Sequence, residues 1–112
     1  TFKPLRGMHG DVKIGGLTLT QETFKRLHTA YPGPGAQYGY GWVFDKRPWA
    51  GGDGTTLFHS GSNGMWLCET WLSPAHGFAA LTVTNQFTKP AEYASFEVIQ
   101  LLVGEAEARR AH

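Results

Sequence analysis

The fold of this chain is organised around one polar, glycine-flanked stretch near its middle. The stretch reads Phe58-His59-Ser60-Gly61-Ser62-Asn63-Gly64. The residues before it, Thr55–Phe58, and after it, Met65–Leu72, have the composition of strands. Polar side chains at the edge of buried strands need hydrogen-bond partners, or they cost free energy. A functional site therefore explains this stretch better than core packing does.

The overall composition indicates one modest globular domain and excludes several function classes. The chain has 112 residues, of which 41% are hydrophobic and 13% aromatic, so a packed core is expected. The net charge of +1 gives no electrostatic reason to expect nucleic-acid binding. No apolar run reaches membrane-spanning length, and no signal peptide is recognisable. Cys68 is the single cysteine, so no internal disulfide can form.

The patterns on both sides of the central stretch predict an antiparallel sheet. In Gln37–Phe44, aromatic residues alternate with glycines at strand period, and the glycine face predicts close approach of another segment. Further strands are predicted around Leu57–His59, Met65–Leu72 and Phe78–Thr84. The middle one of these is apolar in both alternating sets, which is typical of a central strand covered on both sides. The short link Ser73–Gly77 implies antiparallel pairing.

A first helix is predicted before this sheet. Thr20 is a good N-cap, Glu22 favours the first turn, and Pro32 ends the helix. The glycine-punctuated residues Thr1–Gly16 that precede it are predicted to be mostly loop.

A second helix is predicted after the sheet, from Ala91 to about Val103, with Thr88 as its cap. Glu105–His112 is predicted to be a solvated tail. The apolar residues of the helix form a wide stripe at helical spacing: Tyr93, Phe96, Val98, Ile99, Leu101, Leu102 and Val103. A face this wide predicts packing on one face of a sheet, so the fold class is α+β.

His59 is the leading candidate for a catalytic residue, and it has two interpretations. Considered alone, it is interpreted as a hydrogen-bonded, inert residue at the end of a strand. The functional reading is strengthened by Ser60, Gly61 and Ser62, since a glycine beside a strand admits a ligand and backbone N–H groups there can bind an oxyanion. Ser62 does not fit the Gly-x-Ser-x-Gly nucleophile pattern, because position 60 is serine. A serine and a histidine adjacent in sequence also rarely form a working dyad, so no nucleophile is predicted here.

Other kinds of site have weaker signals. The histidines do not cluster at ligand spacings, so neither a metal nor another cofactor is expected: they are His9, His28, His59, His76 and His112. The glycine runs match neither phosphate-binding fingerprint. Among the tryptophans, Trp49 in its glycine loop is the candidate for stacking on a sugar, while strand periodicity favours core positions for the others.

Several motifs, taken in order, resemble the C-terminal part of the serine β-lactamase-like family. They are Leu19–Thr23 at a helix start, Tyr38-Gly39-Tyr40-Gly41-Trp42, a glycine loop, His59-Ser60-Gly61, Gly64, a hairpin through Pro74 and Gly77, and Leu81–Asn85. The family includes class C β-lactamases, D-alanyl-D-alanine peptidases (penicillin-binding proteins) and related esterases. The resemblance covers roughly Thr18 to the final helix. It implies that residues 1–112 are the C-terminal portion of a single, larger β-lactamase-like (transpeptidase-like) domain.

The resemblance also implies roles for the central stretch, which matches the family's His-x-Gly form of its third active-site motif. His59 would tune electrostatics and proton transfer near the nucleophile, and Ser60 would hydrogen-bond a substrate carboxylate or carbonyl. Gly61 completes the motif. The backbone N–H of Ser62 would supply one oxyanion-hole donor. The substrate would be a small ester, a peptide or a β-lactam.

Two family motifs are missing from this chain. No serine has lysine three residues on, as the nucleophile motif Ser-x-x-Lys requires, and no tyrosine begins a Tyr-x-Asn motif. Either the chain is a C-terminal fragment whose N-terminal part carries the nucleophile, or it is a truncated relative without activity. A chain that lacks a covering part would expose apolar surface and is expected to self-associate.

Two function classes therefore remain. One is part of a serine hydrolase, for which the resemblance implies a periplasmic or secreted location. The other is a non-catalytic module in which Trp49 and the glycine loops bind peptidoglycan or sugar.

Overall fold

The structure, a computed structural model, describes residues 11–34 and 37–112 and has an α+β architecture. A five-stranded antiparallel sheet carries a long C-terminal helix on one face, which confirms the predicted class. The strands are β1 (Val12–Ile14), β2 (Leu17–Leu19), β3 (Tyr38–Gly39), β4 (Trp42–Lys46), β5 (Thr55–Ser62), β6 (Leu67–Ser73) and β7 (Phe78–Thr84), and the helices are α1 (Gln21–Leu27) and α2 (Lys89–Arg110). The sheet order β3-β4-β5-β6-β7 follows the chain, so each link joins neighbouring strands.

The segment before α1 is a β-hairpin, so the loop prediction was wrong for Val12–Ile14 and holds for Asp11 and for the turn at Gly15 and Gly16. Strands β1 and β2 pair antiparallel, and Gly15 takes a φ of 59° in the turn between them. Two glycines between short apolar runs are a hairpin signal, which glycine punctuation along the whole segment obscured. The part of that prediction that falls on residues 1–10 lies outside the described residues.

Helix α1 begins where the sequence predicted and ends before Pro32. The Thr20 hydroxyl accepts a hydrogen bond from the Thr23 N–H at 3.2 Å, which confirms the cap. The helix ends at Leu27, so Tyr31 lies in the following loop and is exposed. Its N–H donates to the Tyr38 carbonyl at 2.9 Å, which fixes this loop against β3.

The aromatic–glycine run is a tight hairpin and not one continuous strand. Strands β3 and β4 are joined by Tyr40 and Gly41, whose φ angles of 53° and 88° are the pattern of a type I′ turn. The predicted close approach to a glycine is confirmed at Gly39, where a Cβ would lie 2.7 Å from the Thr29 carbonyl oxygen. Gly41 serves the turn instead, since a Cβ there would meet nothing within 4 Å.

Strand β5 is longer than predicted and includes the polar stretch up to Ser62. Its ladder with β6 is continuous from Leu57 to Ser62. Met65 and Trp66, which the sequence placed in the next strand, lie in the turn and are exposed. The link at residues 74–77 is the predicted antiparallel hairpin. The His59-Ser60-Gly61 motif is thus held inside a regular strand.

Helix α2 extends beyond the predicted end. The Thr88 hydroxyl accepts from the Ala91 N–H at 3.3 Å, which confirms the cap. The helix continues through Gly104 to Arg110, so most of the predicted tail is helical. An ion pair between Glu105 and Arg109, with Nε and Oε1 2.8 Å apart, lies at helical spacing and supports the last turns.

The buried face of α2 differs from the predicted stripe. Its buried residues are Ala91, Ser95, Ile99, Val103 and Ala106. Ile99 and Val103 were predicted correctly, but the other large apolar side chains of the stripe are exposed: Tyr93, Phe96, Val98, Leu101 and Leu102. The small residues of this face let the helix approach the sheet closely, and the large apolar side chains of the stripe are exposed to solvent.

The core lies between α2 and the sheet face beneath it. It consists of Trp71, Phe78, Ala80, Ile99, Val103 and Ala106. Trp49, from a 3-10 turn at Pro48–Ala50, packs edge-on against Trp71 and Phe78, with ring centroids 6.4 and 6.2 Å apart. Burying side chains of this size contributes about 1.5–3 kcal/mol each. Trp49 is half-buried and packs against the edge of the core.

Candidate functional site

The motif His59–Ser62 occupies the half of β5 that has a neighbour on only one side. Strand β6 pairs with β5 along the whole of residues 57–62. Strand β4 pairs only with residues 55–58. It begins at Trp42, directly after the turn from β3, and so it does not extend alongside residues 59–62. Within the described part of the chain, the β4 side of His59–Ser62 is therefore an open edge in the middle strand of the sheet.

The hydrogen-bond pattern shows which backbone groups point into this open edge. The Phe44 N–H donates to the Gln37 carbonyl at 2.7 Å, so Phe44 faces away from β5, and its neighbour Val43 faces β5. Since Val43 is opposite Phe58, Phe58 faces β4. Backbone groups alternate sides along a strand, so the N–H and C=O groups of Ser60 and Ser62 point into the open edge.

The side chains of the motif lie on the two faces of the sheet. In β7, Phe78 and Ala80 are buried under α2, while Leu81 is exposed on the other face. The register places His59 opposite Thr70 and Thr70 opposite Leu81, so His59 lies on the face away from α2. Its imidazole is exposed.

Ser60, on the α2 face, is separated from His59 by the sheet. Adjacent residues of a strand point to opposite faces, so these two side chains cannot act as a nucleophile and its base. The sheet geometry therefore excludes the Ser–His dyad that adjacency in sequence already disfavoured. At Gly61, a Cβ would meet nothing within 4 Å, so the strand is open to approach there.

The turn after the motif is fixed by two polar side chains. The Ser62 hydroxyl donates to the Trp66 carbonyl and accepts from the Gly64 N–H at 3.0 Å. The Asn63 Oδ1 accepts from the N–H groups of Met65 and Trp66, at 3.1 and 3.0 Å. The Ser62 side chain is thus engaged in the turn, and its backbone N–H is the group that faces the open edge.

Glu69 is the titratable side chain that lies opposite Ser60 in the ladder. Burial raises the pKa of its carboxyl group, and the negative charge of Glu92 on α2 adds to the effect. Glu92 itself pairs with Lys89, whose Nζ is 2.9 Å from its Oε2. The α2 side of the motif therefore favours a neutral carboxyl group at Glu69.

Replacing Glu69 by glutamine is expected to stabilise the fold near neutral pH. The pKa of Glu69 is raised in the folded state, so the wild-type protein has its full stability at pH values below the pKa of this residue in the unfolded chain. Part of that stability is lost as the pH rises through the pKa of Glu69 in the folded state. Urea unfolding should give Glu69→Gln the larger free energy of unfolding at about pH 7, and a smaller difference at about pH 4. Glu97→Gln, at an exposed position of α2, is the control, and an equal gain at both pH values would contradict the assignment.

The other candidates from the sequence are not brought together. The described histidines belong to different segments: His28 follows α1, His59 is in β5, His76 is in the β6–β7 link and His112 follows α2, while His9 lies outside the described residues. In residues 11–34 and 37–112, no group of three or more His, Cys, Asp or Glu side chains is placed to hold a metal ion. Over the same residues, no helix is long and apolar enough to cross a membrane.

One cavity of the structure was not predicted from the sequence. It measures about 440 Å³ and lies beside α1, with Phe24, Lys25, His28, Asp53 and Pro74 among its lining residues. Burial lowers the pKa of His28. Hydrogen bonds from the Lys46 side chain and from Thr55 hold the pKa of Asp53 well below its usual range. The lining comes from three separate segments, so no local sequence signal indicates it.

No protein-family model, no curated protein and no solved structure matches this chain. The resemblance to the β-lactamase-like family therefore rests on the residues of the chain and on their order.

Proposed function

We propose that this chain is the C-terminal part of a serine hydrolase related to β-lactamases, which acts on an ester, a peptide or a β-lactam through an acyl-enzyme. The observation that carries the proposal is the open edge of β5 at His59–Ser62. There a His-x-Gly motif is followed directly by the backbone N–H of Ser62, which points into the open edge.

This arrangement suits the charge that develops during acyl transfer. When a nucleophile attacks a carbonyl group, its oxygen becomes negative, and a fixed N–H donor that points at that oxygen stabilises the transition state. The ladder with β6 holds Ser62 in place, so its N–H needs no reorganisation. An extended substrate can also hydrogen-bond to the outward-facing backbone of Ser60, as an added strand does.

His59 and Ser60 would act from the two sides of the same edge. The imidazole of His59 is exposed on the face away from α2, where it can polarise the reacting groups and move a proton. The exposed Ser60 hydroxyl is placed to bond a substrate carboxylate or carbonyl.

The nucleophile has to come from a part of the protein outside these residues. The serines of the chain are Ser60, Ser62, Ser73 and Ser95. Ser73 is buried and donates to the Ala50 carbonyl at 2.6 Å, and Ser95 is buried on the sheet-facing side of α2. Ser62 is engaged in its turn, and Ser60 has no lysine three residues on to act as base.

The alternative, a peptidoglycan- or sugar-binding module, has less support. It depends on Trp49, and this ring packs against Trp71 and Phe78 in the core. A half-buried ring that already packs against two others is less available for stacking on a sugar.

The test has two parts: the sequence encoded upstream of Thr1 is examined for the missing motifs, and hydrolytic activity is assayed. A chromogenic cephalosporin and a p-nitrophenyl ester are assayed with residues 1–112 and with the longer protein. We expect Ser-x-x-Lys and Tyr-x-Asn upstream of Thr1, saturable turnover by the longer protein and none by residues 1–112. Saturable turnover by residues 1–112, or an upstream sequence without either motif, would overturn the proposal.

A further inference from the structure

The turn after the motif holds the backbone of Trp66 in a fixed orientation. The Trp66 N–H donates to the Asn63 Oδ1 at 3.0 Å, and the Trp66 carbonyl accepts from the Ser62 hydroxyl. Both backbone groups of Trp66 therefore point toward the β5 side of the turn. The side chain of Trp66 is 51% exposed, so the turn presents a large aromatic ring at the surface.

Strand alternation places this ring on the same face of the sheet as His59. Gly61 lies between the two residues that face the open edge, so it faces β6 and bonds with Cys68. Cys68 and Trp66 are two residues apart, and both direct their backbone groups toward β5, so their side chains share a face. Because Cys68 is opposite Gly61, this is the face of His59, away from α2.

These four residues form a shallow cleft beside the open edge, which we call the Trp66 cleft. Its floor consists of Cys68 and of Gly61, where a Cβ would meet nothing within 4 Å. His59 lies at one end of the floor and Trp66 at the other. Continuation of the β5–β6 register sets Trp66 level with residue 63, four residues beyond His59. Four residues of a strand span roughly 13 Å, which is enough for an aromatic group next to a carbonyl.

The position of the oxyanion donor decides which part of a substrate lies near Trp66. The backbone N–H of Ser62 lies between the two ends of the cleft. His59, at the other end, is the group proposed to move a proton, and in acyl transfer the leaving group takes up a proton as it departs. The leaving group therefore lies toward His59. The acyl group lies on the other side of the carbonyl carbon, toward Trp66.

We propose that the Trp66 cleft binds the acyl group of the substrate and selects an aromatic or branched apolar group there, an assignment that rests on the proposed function and narrows its substrate class. An indole packs favourably against another aromatic ring, in an offset or edge-on arrangement. At this end of the cleft, Trp66, Cys68 and Gly61 supply an indole, a thiol and a bare backbone. A charged acyl group would find no charged partner among them.

Under the proposed function, the part of the protein that carries the nucleophile leaves this cleft to the substrate. The nucleophile attacks a carbonyl group whose oxygen is held by the Ser62 N–H, so the space in front of that N–H is filled by substrate. The alternative is that the rest of the domain covers Trp66 as a core residue. Loss of the indole changes substrate selection in the first case and the stability of the fold in the second.

The test compares two esters that differ only in their acyl group, p-nitrophenyl phenylacetate and p-nitrophenyl acetate, with the longer protein as enzyme. The wild type is expected to have the higher kcat/KM for the phenylacetate. In Trp66→Ala, the ratio of the two kcat/KM values should fall by about tenfold or more, as for other losses of an apolar contact in a specificity pocket. Trp66→Phe keeps an aromatic ring and should retain most of the ratio. Tyr93→Ala, at an exposed aromatic residue of α2, is the matched control and should keep the wild-type ratio.

Urea unfolding of the same variants separates a binding role from a packing role. Trp66→Ala is expected to unfold at nearly the wild-type urea concentration, because its ring is exposed. An unchanged ratio in Trp66→Ala, or an equal loss with both esters together with a lower unfolding midpoint, would overturn the assignment and leave the hydrolase function standing. So would a wild type without preference for the phenylacetate, or one that turns over only the chromogenic cephalosporin. Absence of turnover with all three substrates would overturn the proposed function, and the assignment with it.

Discussion

Replacement of His59 by alanine in the longer protein, under the proposed hydrolase function, is expected to lower kcat by about 10²- to 10³-fold, with little change in KM. The imidazole is exposed on the face of β5 away from α2, three residues before Ser62, whose backbone N–H points into the open edge. Its interaction should strengthen as negative charge develops on the reacting carbonyl. Loss of such a group affects the transition state more than the bound substrate.

The control for this prediction is His76→Ala. His76 is also exposed, but it lies in the β6–β7 hairpin loop beside Gly51. Steady-state kinetics with a cephalosporin and a p-nitrophenyl ester should show nearly wild-type kcat for this variant. If His59→Ala keeps full activity, or if only its KM rises, His59 is an inert strand residue and the proposed role is wrong.

Replacement of Ile99 by alanine is expected to destabilise the fold by about 2–5 kcal/mol. Ile99 is 1% exposed and lies in the core cluster with Trp71, Phe78 and Val103. Truncation removes buried methyl and methylene groups and leaves a cavity between α2 and the sheet, which the neighbouring aromatic rings cannot easily fill. Urea unfolding followed by circular dichroism gives the difference in free energy of unfolding.

The matched control is Leu101→Ala on the same helix. Leu101 is 73% exposed, so its truncation should change the free energy of unfolding by no more than about 0.5 kcal/mol. A similar loss in both variants would mean that α2 packs in another rotation on the sheet. Because Leu101 and Ile99 belong to the same predicted apolar stripe, this comparison also tests what the sequence pattern could not separate.

The local signals in the sequence determined much of this molecule. Thr20 and Thr88 cap their helices because a hydroxyl can accept from a backbone N–H near a helix start, which depends only on nearby residues. The β6–β7 hairpin follows from a short, glycine-containing link between two apolar runs. The close approach at Gly39 also followed from the missing side chain alone.

Other features depend on segments far apart in the chain, and only the tertiary structure decided them. The aromatic alternation of residues 38–44 fits a strand, but left-handed angles at Tyr40 and Gly41 fold it into a hairpin. Composition shows that α2 is apolar on several sides. Packing against Trp71 and Phe78 selects the side with small residues, because these allow the closest contact with the sheet.

The candidate site shows the same division. The sequence singled out His59, Ser60, Gly61 and Ser62 by their types and order. It could not show that β4 stops short of them, since strand pairing joins residues distant in sequence. That end of β4 leaves the backbone groups of Ser60 and Ser62 at an open edge, with His59 on one face of the sheet and Ser60 on the other. Residue type is local information, whereas an open edge exists only once the neighbouring strands are in place.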